Sequence, residues 1–211
     1  MQQSLFDQKG LSQPLADRLR PQTLEDYVGQ EHLLGPGKVL RQMIQQDEVP
    51  SMIFWGPPGV GKTTLARIIA RHTKAEFVNF SAVTSGIKEI KEVMNQAEVN
   101  RRLGERTILF VDEINCVSET LAPTMLQFLQ CKTFGNQQLP AGWVVVAAGN
   151  PPEYNKSVRE FDVVTMDRVK KIQVEPDFDA WREYAYAKGV HPAVISYLNT
   201  RPANFYKMES T

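Results

Sequence analysis

Residues 55–64 read WGPPGVGKTT, and the fold turns on how these ten residues are read. An apolar run, SMIFW (51–55), ends at Gly56, and the stretch TTLARIIARH follows with Leu65, Ile68, Ile69 and His72 at helical spacing. Between them lies the pattern G-x-x-x-x-G-K-[ST], filled by Gly56, Gly61, Lys62 and Thr63. A strand that enters a glycine loop and leaves it as a helix is the context this pattern requires. The loop residues Gly56, Pro57, Pro58, Gly59, Val60 and Gly61 let main chain approach phosphate oxygens and turn its N–H groups toward them. The positive end of the helix that carries Lys62, Thr63 and Thr64 adds its field. In such a loop Lys62 bridges a β- and a γ-phosphate, and Thr63 offers its hydroxyl to Mg²⁺.

The pattern outward from the loop is one of alternation. Upstream, VLRQMIQQ (39–46) places Val39, Leu40, Met43 and Ile44 on one helical face. Downstream, FVNF (77–80) reads as a strand and IKEIKEVMNQAEVNRR (87–102) as a helix. Its inward residues are Ile87, Ile90, Val93 and Ala97, with a Lys88–Glu92 pair outside. TILFV (107–111) is a third strand, ETLAPTMLQFLQ (119–130) is mostly helical, and FGNQQLPAG (134–142) is a turn or small hairpin. WVVVAAG (143–149) and KIQVE (171–175) supply the fourth and fifth strands, and FDAWREYAYAKG opens a further helix ended by Gly189. Strands apolar throughout and alternating with helices predict an α/β fold, a P-loop NTPase with a parallel five-stranded sheet covered on both faces.

Two adjacent carboxylates close the third strand in ILFVDEINCVSE (108–119). Ligands of an open parallel sheet gather at the carboxyl ends of its strands. Asp112 there is neutralised by Mg²⁺ rather than left buried and unpaired, and Glu113 is placed to polarise a water for attack on a γ-phosphate. A single carboxylate would serve the ion alone; the second implies hydrolysis. Asn150 closes WVVVAAGN at another strand end. Its amide can hold the attacking water or touch the γ-phosphate, or it can simply start a turn before Pro151 and Pro152. Arg168, in TMDRVKKI, is either a surface ion-pair residue or an arginine given to a neighbouring subunit's phosphates.

The bulk composition excludes several classes. Lys and Arg balance Asp and Glu at 24 each among 211 residues, so a nucleic-acid contact has to come from a local patch. The apolar runs are too short to span a bilayer, and MQQSLFDQKG lacks the layout of a signal peptide, which together predict a soluble, cytoplasmic protein with no membrane contact. Cys116 and Cys131 match no metal spacing and are expected as reduced thiols; His32, His72 and His191 are scattered. Residues 1–13 are polar and glutamine-rich, a flexible tail.

These motifs, in this order, resemble the AAA+ ATPases over nearly the whole chain. Residues 14–114, with PLADRLRPQTLEDYVGQEHLLGPG, MIFWGPPGVGKTTLARIIA and FVNFSAVTSGIKEIKEV, are similar to the RarA branch, related to clamp loaders and to RuvB. That likeness implies Tyr27, Val28 and Gly29 beside an adenine, and a DNA-facing helix after Ser81–Gly86. Lys88, Lys91, Arg101 and Arg102 give this helix a basic side, diluted by Glu89, Glu92 and Glu98. From residue 112 to about 200 the chain resembles instead the MoxR-type branch, which has a hairpin before the Asn strand and an intersubunit arginine in an Asp-Arg pair, here Asp167-Arg168. The two likenesses meet at VDEI (111–114), and a joined reading frame is the simplest account.

The resemblance implies ATP and Mg²⁺ as cofactors and a homo-oligomer joined through its nucleotide sites. It further implies ATP hydrolysis in DNA replication, recombination or repair at stalled forks or DNA ends. The alternatives are a MoxR-like chaperone ATPase and a fragment that binds ATP without hydrolysing it. It divides the chain into the tail, a nucleotide-binding domain over 14–175, and the start of a helical lid over 176–211. That lid is expected to be incomplete and turnover impaired, with Arg182 and Arg201 as candidate lid arginines.

Overall fold

The computed structural model describes residues 20–83, 87–134, 137–154, 158 and 169–207. The expected tail over 1–13, residues 84–86 of the Ser81–Gly86 motif, and Arg168 lie outside the described residues. In chain order the elements are α1 (Glu31–Leu34), α2 (Val39–Gln45), β1 (Met52–Trp55), α3 (Lys62–His72), β2 (Glu76–Ser81), α4 (Ile87–Arg102) and β3 (Thr107–Asp112). A 3-10 turn at Ile114–Cys116 leads to α5 (Ala122–Cys131), then β4 (Thr133–Phe134), β5 (Gln137–Gln138) and β6 (Trp143–Gly149). After β7 (Lys170–Gln173) come α6 (Phe178–Ala187), α7 (Pro192–Thr200) and a 3-10 turn at Pro202–Asn204.

Five strands form one parallel sheet in the order β2-β3-β6-β1-β7. The period-2 alternation of a strand divides the apolar residues between its two faces. Met52, Phe54, Ile108, Phe110, Val144, Val146 and Ala148 pack on one side against Leu40 and Ile44 of α2 and Leu65, Ile68 and Ile69 of α3. Ile53, Leu109, Val111, Val145 and Ala147 pack on the other, against Ile90, Met94 and Ala97 of α4 and Met125, Phe128 and Leu129 of α5. Both faces of the sheet are therefore covered, as parallel sheets require.

The expectation of strands apolar throughout describes only the three central ones. At the sheet edges, β2 exposes Glu76 and Asn79 and β7 exposes Lys170 and Lys171. Charged side chains at an edge also discourage pairing with another chain. His72 is exposed, and Thr73 is buried beside it with its hydroxyl donated to Ile69 O at 2.9 Å. The helix expected from residue 119 begins at Ala122, because the 3-10 turn and Ser118–Leu121 take up the chain first. The hairpin is present but shifted, with Thr133 opposite Gln138 and Phe134 opposite Gln137. Helix α7 falls within the helical lid region expected over 176–211, though its own bounds were not read from the sequence. Among the described residues no helix is long and apolar enough to cross a membrane.

Candidate functional site

The parallel register brings Trp55, Asp112 and Gly149, the last residues of β1, β3 and β6, to one edge of the sheet. The glycine loop leaves that edge from β1. Gly56 is required there by packing: a Cβ at this position would lie 1.9 Å from Val174 O. Gly61 is required by conformation as well, since its φ of 97° is left-handed and a Cβ would meet the Tyr27 hydroxyl at 2.6 Å. Helix α3 then starts at Lys62, whose side chain turns back beneath the loop. Its Nζ donates to Gly56 O and Pro57 O at 2.6 Å each and to Asn150 Oδ1 at 2.8 Å. Burial lowers the ammonium to a pKa of about 8, an effect that the charges of Asp112 and Glu113 oppose.

Asp112 and Glu113 line the same cavity as Lys62. Asp112 Oδ1 accepts from the Glu113 N–H at 3.1 Å, and Glu113 takes φ of 54°, which swings the chain out of β3 into the 3-10 turn. From that turn Asn115 reaches across to Asn150: its Nδ2 donates to Asn150 O at 2.7 Å, and Asn150 N donates to Asn115 Oδ1 at 3.2 Å. The oxygen donors at this end are a threonine hydroxyl, Thr63, and a carboxylate, Asp112, a hard-oxygen pair suited to Mg²⁺ that also keeps phosphate and water ligands.

The cavity measures about 820 Å³. Pro58, Gly59, Val60 and Gly61 line its phosphate-sized end with Lys62, Thr63, Thr64 and Asn150. Tyr27, Val28, Pro176, Asp177, Trp181 and Tyr184 line the same cavity. The Tyr27 hydroxyl donates to Gly61 O at 3.3 Å and Val60 O at 3.4 Å, and burial pushes its pKa well up. Gly29 does not line the cavity; its φ of 82° sets it against Asp177 and Ala180, so that a Cβ there would sit 3.4 Å from Ala180 Cβ. Gln30 ties this segment to the end of β7, accepting from Glu175 N at 3.1 Å and donating to Glu175 O. Gly56 and Pro57 also lie behind the cavity wall, where their carbonyls hold Lys62.

Among the lining residues that the sequence did not single out are Arg20, Trp181, Phe205 and Tyr206. Arg20 donates to the Thr64 hydroxyl at 3.1 Å. Tyr206 donates its hydroxyl to Pro58 O, and burial, with a contribution from Tyr154, pushes its pKa up to about 12. Phe205 packs against Trp181 and Phe178 with ring centroids 5.1 Å apart in each case. The two arginines that chemistry did suggest for the lid lie elsewhere: Arg182 pairs with Asp179 at 2.9 Å, and Arg201 is the exposed C-cap of α7. The composition signals that could have found Phe205 and Tyr206 are weak, since nothing local ties them to a loop 148 residues earlier.

A five-stranded parallel sheet with a glycine loop, a lysine beneath it and acidic residues at the neighbouring strand end defines a P-loop nucleotide-binding domain of the AAA+ ATPase class. The family described as the Holliday junction DNA helicase RuvB P-loop domain matches residues 19–131, more than half of the chain, and the chain belongs to that family. It is 52% identical over 117 residues to replication-associated recombination protein A of Haemophilus influenzae, covering 56% of this chain and 26% of that protein. It is 46% identical over 102 residues to the ATPase WRNIP1 of Dictyostelium discoideum, covering 48% of this chain and 12% of that protein. The chain thus spans about a quarter or less of these relatives. The RuvB Holliday junction branch migration motor of Thermotoga maritima superposes with a TM-score of 0.57 at 22% identity, over 82% of this chain and 55% of that one, a likeness of fold. The family match ends at Cys131, the last residue of α5, so the hairpin, β6 and β7 lie beyond it.

Proposed function

We propose that this chain binds ATP with Mg²⁺ and hydrolyses it, as the motor domain of a protein acting in DNA replication, recombination or repair at stalled forks or DNA ends. The observation that carries the reading is the meeting of Lys62, Asn150, Asp112 and Glu113 at one end of a single cavity whose walls include the glycine loop. In the mechanism, Lys62 and the loop N–H groups hold phosphates, while Thr63 and Asp112 would hold Mg²⁺, which would supply positive charge to neutralise the phosphates. Glu113 takes a proton from the attacking water and Asn150 orients it. Tyr27 and Val28 receive the base. Residues 14–175 act as the nucleotide-binding domain and 176–211 as the start of a helical lid region. Subunits associate through their nucleotide sites, with Arg168 reaching the neighbour's phosphates.

The test is ATP hydrolysis by the purified chain, with and without forked or gapped DNA, against Glu113→Gln as the blank. Stimulation by DNA that vanishes in the variant supports the DNA reading. Activity indifferent to DNA supports a second reading, a MoxR-like chaperone ATPase, which the short hairpin of β4 and β5 directly ahead of β6 favours. ATP binding with no turnover above the blank rejects hydrolysis and leaves a nucleotide-binding domain.

A further inference from the structure

Asn150 lies one residue beyond the end of β6 and is followed by Pro151 and Pro152. Two successive prolines bring no N–H donor, and the first confines Asn150 to extended backbone. The Asn150 N–H and C=O are thus left at the end of a finished ladder, in a position only 7% exposed. One side chain satisfies both. Asn115 donates from Nδ2 to Asn150 O at 2.7 Å and accepts at Oδ1 from Asn150 N at 3.2 Å. A primary amide presents a donor and an acceptor side by side, as a peptide unit does, so Asn115 serves as a surrogate for the next residue of a neighbouring strand.

The surroundings are shaped around this contact. Asn115 is 1% exposed. Gly149 leaves room for it: a Cβ there would come within 3.3 Å of Asn115 Oδ1 and 2.6 Å of the Trp55 ring. The side chain of Asn150, whose backbone is held in this way, accepts from Lys62 at 2.8 Å. Asn115 itself sits in the 3-10 turn that begins directly after Glu113. One short turn thereby carries the carboxylate on its leading residue and the grip on Asn150 two residues later.

We propose that Asn115 is a positioning residue: its amide fixes the Asn150 backbone so that the Asn150 side chain keeps its place between Lys62 and the phosphate end of the cavity, at a set spacing from Glu113. The proposal rests on the ATPase reading for its consequence in turnover, but the grip itself exists without nucleotide. A role limited to filling space would need the volume of Asn115 and not its two hydrogen bonds. Asn115→Leu separates these, because it keeps the branched, four-heavy-atom side chain and removes both bonds to Asn150, and Asn115→Asp, smaller and closer in shape, controls for the larger bulk of leucine.

The experiment has two arms. In the nucleotide-free chain, backbone hydrogen exchange at Asn150 is followed by NMR in the wild type and in Asn115→Leu. Opening of a site normally closed by a bond raises exchange, here by about tenfold or more; unchanged exchange overturns the proposal. In the second arm, Asn115→Leu lowers kcat for ATP about 10- to 100-fold, the scale of a small misplacement, with KM within about threefold. Because Asn115 acts through Asn150, the same change made in an Asn150→Ala background costs little more. Losses that add in full in the double variant would overturn the positioning role. Should Asn115→Leu fail to fold, Asn115→Asp is read in its place, since it keeps the acceptor for Asn150 N and loses the donor. A wild-type chain without turnover rejects the ATPase reading alone, and the exchange arm still decides whether Asn115 grips Asn150.

Discussion

Lys62 Nζ and Asn150 Oδ1 lie 2.8 Å apart, joining the start of α3 to the end of β6 across 88 residues of chain. The lysine has two further acceptors, the Gly56 and Pro57 carbonyls, and its charge is held in a site with little access to water. A phosphate entering the cavity competes with these carbonyls for the ammonium. The proton on Lys62 is therefore linked in opposite senses to folding and to ligand binding, which makes pH a direct probe of the site.

Burial lowers the Lys62 pKa to about 8 from its ordinary 10.5. Between these values the folded chain holds fewer protons than the unfolded one, so the destabilising share of this group is fully present below about pH 8 and is relieved as pH rises toward 10.5. Nucleotide affinity runs the other way, because phosphate prefers the protonated amine. Binding of a non-hydrolysable ATP analogue is expected to be flat below about pH 7 and to weaken above about pH 8 by up to tenfold per pH unit. Titration calorimetry across this range checks it, and Lys62→Met should bind weakly with no such slope.

Glu113 occupies left-handed backbone, φ 54°, a conformation that disfavours any side chain with a Cβ. Glu113→Gly is expected to raise unfolding stability by about 1 kcal/mol while abolishing turnover. Glu113→Gln keeps the strain and the side-chain length, so it should leave stability and nucleotide binding close to wild type and lower turnover about 10²- to 10⁴-fold, the usual share of a general base. Urea unfolding and a steady-state ATPase assay on the pair separate the backbone contribution from the chemical one. Equal stability of the two variants would count against strain at this residue.

The first glycine of the loop motif acts through packing more than through phosphate contact. Gly56 does not line the cavity, and a Cβ on it would overlap the Val174 carbonyl at the end of β7. Gly56→Ala must push the loop off β7 and is expected to cost about 1–3 kcal/mol or more of stability, the range for overpacking a close-packed contact. Thermal unfolding should show the loss even without nucleotide, and an unchanged melting temperature would contradict it.

Much of this site was legible because its chemistry is local. Lys62, Thr63, Asp112 and Glu113 stand next to the elements that place them, so a strand, a glycine loop and a helix were enough to find them. Asn150 was legible as a strand-end amide, but its partner was not: Asn115 sits 35 residues earlier, in a 3-10 turn with no apolar periodicity to mark it. Trp181, Phe205 and Tyr206 read as apolar residues of a helix and its sequel, and only the return of the chain over the loop brings them to the cavity. The edge strands were read as strands but not as edges, because apolar runs mark the buried centre of a sheet and β2 and β7 have only one neighbour each.

The proposed approach of DNA to α4 is where sequence and structure pull apart. Arg101 and Arg102 belong to the basic side of the helix, yet both are engaged by one carboxylate: Glu98 accepts from Arg101 Nη2 at 2.8 Å and Nε at 3.0 Å, and from Arg102 Nε at 3.2 Å. Hydrogen bonds from Arg101 and then Arg102 hold the Glu98 carboxyl down at about 2. Lys88 is similarly set against Glu92 at 3.9 Å. Phosphates must therefore compete with Glu98 for both guanidinium groups. Glu98→Gln removes the competitor and adds one unit of positive charge, so DNA affinity at low salt is expected to rise. The slope of log K against log salt should steepen by about 0.9 for each arginine that gains a phosphate, up to about 2 in all. Arg101→Gln should move the slope the opposite way. Fluorescence anisotropy with forked DNA at several salt concentrations measures all three proteins on one scale, and identical slopes would mean that DNA, if bound, meets another face of the domain.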